Sequence, residues 1–218
     1  SNSTSIASRM TIDHNGNVGI GTDTPQKKFH VEHTAGASEG ILISGASDTA
    51  GHTAGILLRA EGGEADSALR AKAGIFLERT ATYGIGKLHI ANRHNSDNVS
   101  ATISDANITI YDDKVGIGTT NPIAPLHVAG NAVIETGSPD LYFATTSASH
   151  TNWRVAAQEV VDAGFEIASG TQSAGSNAVN DTYTTRFAIK NTGNVGIGTI
   201  NPEKNLSIGS SQAEGIQF

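Results

Sequence analysis

Of the chain's 218 residues, 47 are Ile, Leu, Val or Phe, 25 are Gly, only 11 are aromatic, and the net charge is −7. That lies just above the level at which a chain buries too little surface to fold, and it excludes an aromatic-rich monomeric globule built round a deep active site. The absence of Cys excludes disulfides and thiol chemistry. The acidic balance disfavours a nucleic-acid partner, and no 18-residue apolar run is present to insert in a membrane.

In chain order, Met10 and Ile12 alternate with polar residues, Asn15-Gly16 offers a hairpin turn, and Val18-Gly19-Ile20-Gly21-Thr22 follows. Pro25 then limits a bend before Phe29-His30-Val31 restores the alternation. The same pattern recurs twice. Its middle copy runs from Ile108 and Ile110 through Val115-Gly116-Ile117-Gly118-Thr119 and Pro122 to Leu126-His127-Val128. Its last copy runs from Phe187 and Ile189 through Val195-Gly196-Ile197-Gly198-Thr199 and Pro202 to Leu206-Ser207-Ile208. Each copy reads as strand, turn, strand, bend, strand. The bare face at Gly19, Gly116 and Gly196 permits close approach of another backbone. The middle copy is one residue shorter at its turn and offers Asp112-Asp113, so that turn must differ in type.

Between the copies lie two unequal cassettes. The first carries strand-like stretches at Gly40–Ile43, Ala54–Leu58, Ser67–Arg79 and Lys87–Ile90, and the second at Asp140–Phe143, Asn152–Val155 and Ala163–Ile167. Residues 67–79 fit both a helical face and a strand, and Gly74 with Gly62-Gly63 favours the strand. A short helix over Val155–Ala163 is the other tolerated exception, and Gly170–Thr185 reads as the longest polar loop. The organisation expected is residues 1–39 closing one repeat unit, 40–139 a larger β cassette ending on the second motif, 140–208 a smaller one ending on the third, and 209–218 opening a further unit. The ends echo interior segments, so the chain is expected to be a piece of something longer.

The motif Gly-Asn-Val-Gly-Ile-Gly-Thr-x-x-Pro followed by Leu-His-Val resembles the shaft and tip segments of bacteriophage tail fibres and other adhesive trimeric fibres on bacterial surfaces. It is carried by Gly16–Pro25, Val115–Val128 and Gly193–Pro202, with further likeness in Arg79-Thr80, Thr82-Tyr83-Gly84, Lys87-Leu88-His89, Ser104-Asp105-Ala106 and Asn152-Trp153-Arg154. Nearly the whole chain is covered. The resemblance implies an all-β, elongated, intertwined parallel homotrimer, located in a virion tail fibre or at a cell surface. A self-cleaving chaperone domain of the endosialidase type, common in such fibres, would follow residue 218. The composition agrees with that architecture, because three copies sharing one narrow core need few large apolar residues each.

Candidate chemistry is sparse. Gly16-x-x-Gly19-x-Gly21 has the wrong order for a dinucleotide fingerprint, and a strand rather than a helix follows it. His30 and His127 hold equivalent positions, but the third copy has Ser207 there, so no module-wide metal ligand and no cofactor is expected. The carboxylates Glu61, Glu64, Asp66, Glu78, Glu159, Asp162 and Glu166 show no spacing that marks a hydrolytic pair, and no catalytic residue is assigned. Aromatic faces beside planar hydrogen-bonding groups suit sugars; the second cassette groups Tyr142, His150, Asn152, Trp153 and Arg154. The expected function is therefore that of a structural and receptor-binding fibre segment that attaches to a host-surface glycan or protein. The alternatives are a tailspike-type depolymerase and a pure spacer.

Overall fold

The computed structural model describes residues 10–33, 40–45, 47–60, 70–147, 149–171 and 178–209. Among these residues the protein is all-β: fifteen strands, three short 3₁₀ turns (Thr82–Gly84, Ile103–Asp105 and Ala178–Asn180) and no α-helix. The chain divides between Asn131 and Ala132 into two units.

Three sheets follow the chain in order. The first contains β1 (Met10–Ile12), β2 (Val18–Ile20) and β3 (Phe29–Val31). The second contains β4 (Thr53–Leu58), β5 (Ala73–Arg79), β6 (Gly86–Asn92), β7 (Ala106–Tyr111), β8 (Lys114–Ile117) and β9 (Leu126–Val128). The third contains β10 (Asp140–Phe143), β11 (Trp153–Ala157), β12 (Phe165–Gly170), β13 (Tyr183–Ile189), β14 (Val195–Ile197) and β15 (Leu206–Ile208). Strands adjacent in sequence are adjacent in each sheet. Every pairing is antiparallel except the last of each sheet: β2–β3, β8–β9 and β14–β15 are parallel.

Those parallel pairs are the repeated motif. A parallel connection ordinarily uses a dozen or more residues, yet here eight suffice, 21–28, 118–125 and 198–205. Two glycines make this possible. A Cβ on Gly19 would lie 2.5 Å from the Thr22 carbonyl oxygen, and one on Gly116 would lie 2.5 Å from that of Thr119. The bare strand face noted in the sequence is thus filled by the chain's own returning backbone. The second glycine of each copy (Gly21, Gly118, Gly198) is left-handed, with φ of +77°, +72° and +70°, a region other residues enter only at a cost.

The rest of the connection is held in the same way three times. The Thr22, Thr119 and Thr199 hydroxyls accept the N–H two residues on, at 3.3, 3.2 and 3.2 Å. Pro25, Pro122 and Pro202 are buried. The N–H groups of Val18, Val115 and Val195 each donate at 2.9 Å to the carbonyl just before the third strand, on Lys28, Pro125 and Asn205.

The hairpin turns differ as the one-residue length difference requires. In the first copy Gly16 N–H donates to Asp13 O at 3.0 Å, and Gly16 sits at φ +71° in a three-residue loop. The Asp13 carboxylate collects the N–H groups of Asn15 and Asn17, and the Asn17 backbone bond holds its pKa below the ordinary value. In the middle copy Asp112 and Asp113 are both left-handed, at φ +52° and +60°, between paired Tyr111 and Lys114. That is the type I′ two-residue hairpin.

Several sequence expectations change. Val155–Ala163 forms no helix: β11 runs to Ala157 and a turn follows, with Gln158 and Ala163 at positive φ. Ile41–Ile43 reads as a strand but pairs with nothing among the described residues. The polar stretch is shorter than expected, because β13 begins at Tyr183. Residues 73–79 form the expected strand, whereas 61–69, with Glu61, Glu64 and Asp66, lie outside the described residues, as do residues 1–9 and 210–218.

Candidate functional site

Register converts the alternation of single strands into rows across whole sheets. In the second sheet, Ile56, Ile75, Ile90, Ile108, Ile117 and Val128 stand side by side on six successive strands. Two residues along each strand, on the same face, runs Ala54, Leu77, Leu88, Ile110, Val115 and Leu126. The third sheet repeats this with Leu141, Val155, Ile167, Phe187, Ile197 and Ile208, and a parallel row of Ala157, Phe165, Ile189, Val195 and Leu206. The first sheet has the short version, Met10–Ile20–Val31 beside Ile12–Val18–Phe29.

These rows are open. Ile75, Leu77, Ile90, Ile110 and Ile117 keep 42–46 % of their surface exposed, although they lie within a six-stranded sheet. Monomeric proteins rarely expose contiguous apolar area of this extent.

The opposite faces are where each chain buries its own residues, and apart from Phe76 and Val161 these are small or polar. Phe76 packs with Ala91, Ala101 and Ile103. The largest fully buried side chains are His89, Glu166, Asn152 and Thr109. Each is satisfied by hydrogen bonds, as burial demands. His89 Nδ1 is 2.9 Å from the Thr109 hydroxyl and its Nε2 is 3.1 Å from Glu78 Oε2. The Glu166 carboxylate accepts the N–H groups of Val160 and Val161 at 2.7 and 2.6 Å and the Thr185 hydroxyl at 2.7 Å.

The five residues grouped as a sugar site are divided by this arrangement. Trp153 stands on the apolar face, opposite Phe143 and Ser169 and 43 % exposed. Its neighbours Asn152 and Arg154 are buried, and Tyr142, paired with Arg154 across the strands, shares the polar face. Arg154 stacks 4.8 Å from the Tyr183 ring and reaches Glu159 at 3.2 Å. Tyr142 donates to Asp140 at 2.7 Å, and that bond raises the phenol's pKa. Asn152 accepts the Thr145 N–H and donates to Asp181, at 3.0 and 3.1 Å. His150 is exposed. Asn152 and Arg154 therefore tie the start of β11 to the loops behind it, and Tyr142 bonds Asp140 of its own strand, so the three do not face solvent together.

Asp162 is exposed, and the other described carboxylate candidates are engaged. Glu159 serves Arg154 and the Ser138 hydroxyl, Glu78 serves His89, and Glu166 caps a turn. His30 and His33 line a polar groove of about 450 Å³ with Thr24, Gln26, Val31 and Glu32. Among the described residues no three His, Asp or Glu side chains converge to hold a metal ion.

An ion-pair cluster missed in the sequence holds the loop after β6. Arg93 binds both Asp97 and Asp105, and Lys72 reaches Asp97 at 2.7 Å. The Arg93 and Lys72 contacts push the Asp97 carboxyl well below the usual range. Only the charges themselves signalled this in the sequence, since Lys72 lies on the far side of β5 from the loop.

No protein-family model matches the chain, and no curated protein matches it. The register of the apolar rows is thus the feature from which a function has to be read.

Proposed function

We propose that the chain is a segment of a homotrimeric attachment fibre of the phage tail-fibre type, in a virion or on a cell surface, which contacts a glycan or protein of the host. The observation that carries this reading is the two-row apolar face, built to the same plan in all three sheets and uncovered in a single chain. Burial of such area is the main drive for association, and three copies turning these faces to a common axis supply the core that one chain lacks. The polar faces then point outward, where His150 and the loops between strands are open to a receptor.

Light scattering on the gel-filtered protein tests the assembly: a species three times the 22.4 kDa chain mass is expected, and a stable monomer overturns it. Binding of the labelled trimer to a glycan array and to whole bacterial cells tests attachment. A second reading, a load-bearing spacer, is favoured by the internal engagement of Tyr142, Asn152 and Arg154. It predicts a trimer that binds nothing in either assay.

A further inference from the structure

Each of the two large sheets opens on a strand with one side unpaired, bare in β4 and in β10 shortened to four residues with Asp140 at its start. β4 and β10 stand first in their sheets, each bonded on one side only. β4, Thr53-Ala-Gly-Ile-Leu-Leu58, contains no charge and no proline. Natural sheets normally blunt such edges, because a row of free N–H and C=O groups recruits another strand.

A short apolar stretch precedes each edge. Ile41-Leu42-Ile43 lies ahead of β4, and Ala132-Val133-Ile134 ahead of β10. Both consist of strand-favouring residues, both come after the third strand of a motif, and both are exposed: Leu42 at 89 % and Val133 at 82 %. Among the described residues no backbone hydrogen bond reaches residues 40–45 or 131–135. Two segments and two edges thus stand unpaired at matching places in two cassettes of different sequence.

We propose that residues 40–45 of one copy add as an extra strand to the β4 edge of a second copy, and residues 131–135 likewise to its β10 edge. A named segment of the same chain is the occupant because the vacancy and the donor recur together. Chance exposure of one loop would not repeat at the equivalent place. The exchange is head-to-tail, and three copies close it into a ring in which every β4 edge and every β10 edge is covered. It rests on the homotrimer reading and specifies what an intertwined trimer leaves open: which segments cross between chains and which sheet edges receive them.

The chain has no Cys, so engineered thiols are the sole reactive ones. One chain carrying Leu42→Cys and a differently tagged chain carrying Thr53→Cys are assembled together and treated with a short bis-maleimide. The expected product is a covalent species containing both tags. Linkage confined to a single chain carrying both substitutions overturns the proposal, as does no linkage in a sample that light scattering shows to be trimeric. A monomer by light scattering would instead defeat the homotrimer reading beneath it. Hydrogen exchange on the unsubstituted protein is the second measurement. Amides of 41–43 and 132–134 are expected to exchange as slowly as those of β5 and β12, and exchange at the rate of the exposed 149–151 turn contradicts added strands.

Discussion

Glycines of the motif and its turns are required for two different reasons, and a crossed substitution separates them. Gly193 has φ +87° with nothing within 4 Å of the place a Cβ would occupy. Alanine there meets only the left-handed backbone penalty, about 1–2 kcal/mol, offset by roughly 0.5–1 kcal/mol from the stiffer unfolded chain. Asparagine tolerates that region, so Gly193→Asn should be milder than Gly193→Ala. At Gly116 the conformation is ordinary and space is the constraint: a Cβ falls 2.5 Å from the Thr119 carbonyl oxygen and 3.0 Å from its methyl. A backbone atom cannot rotate away, so overpacking of about 1–3 kcal/mol is expected for alanine and more for the larger asparagine. The assay is urea unfolding followed by circular dichroism, with all variants at one chain concentration because stability of an oligomer depends on it. Asparagine should be the better substitute at 193 and the worse at 116. The same order at both sites would refute the steric account of the motif.

Other outcomes follow from the same structure. Ile90→Lys puts a charge in the middle of an apolar row and should convert the proposed trimer to monomers in light scattering; a trimer unchanged by it would remove that row from the interface. Trp153, on the apolar face, should show blue-shifted emission and slow acrylamide quenching in the assembly, and Trp153→Ala should weaken assembly; a fully quenchable Trp would place it on the outside. Glu166→Gln turns an acceptor of three donors into a group with donors of its own, and should cost about 2–4 kcal/mol in the urea assay; a loss below about 0.5 kcal/mol would contradict the cap. The Asp97 pKa is depressed in the folded state, so its contribution is complete above the ordinary value of 3.8 and is lost as pH falls through the lower folded value. An acid titration should therefore show the wild type losing stability below that point more steeply than Asp97→Asn, and identical curves would discount the cluster.

The apolar rows were legible because period two is local: Ile75 and Leu77, or Ile108 and Ile110, declare their shared face within three residues. The left-handed turn glycines were legible for the same reason. What was not legible is whatever depends on partners far along the chain. Arg154 looked like a ligand-binding arginine until Tyr183, Asp140 and Glu159, from three other segments, were seen around it. Trp153 and Arg154, adjacent in sequence, separate to opposite faces, so grouping them by proximity ran against the alternation of the strand itself. The parallel third strand of each motif was hidden by length, since eight residues ordinarily join antiparallel neighbours and only the glycine–threonine packing lets them do otherwise.

The eight-residue connection also says how such a chain can diversify. Because the third strand runs parallel to the second, the polypeptide leaves each motif in the direction of that motif's own second strand, and the connection that sets this direction is held by repeated bonds within the motif. The stretch between one Thr-x-x-Pro and the next is therefore a splice unit. The intervals between successive motif valines, 97 and 80 residues, already differ without altering the geometry of the motifs. Insertion, deletion or exchange at those boundaries would swap one cassette for another, as interchangeable parts on a common coupling.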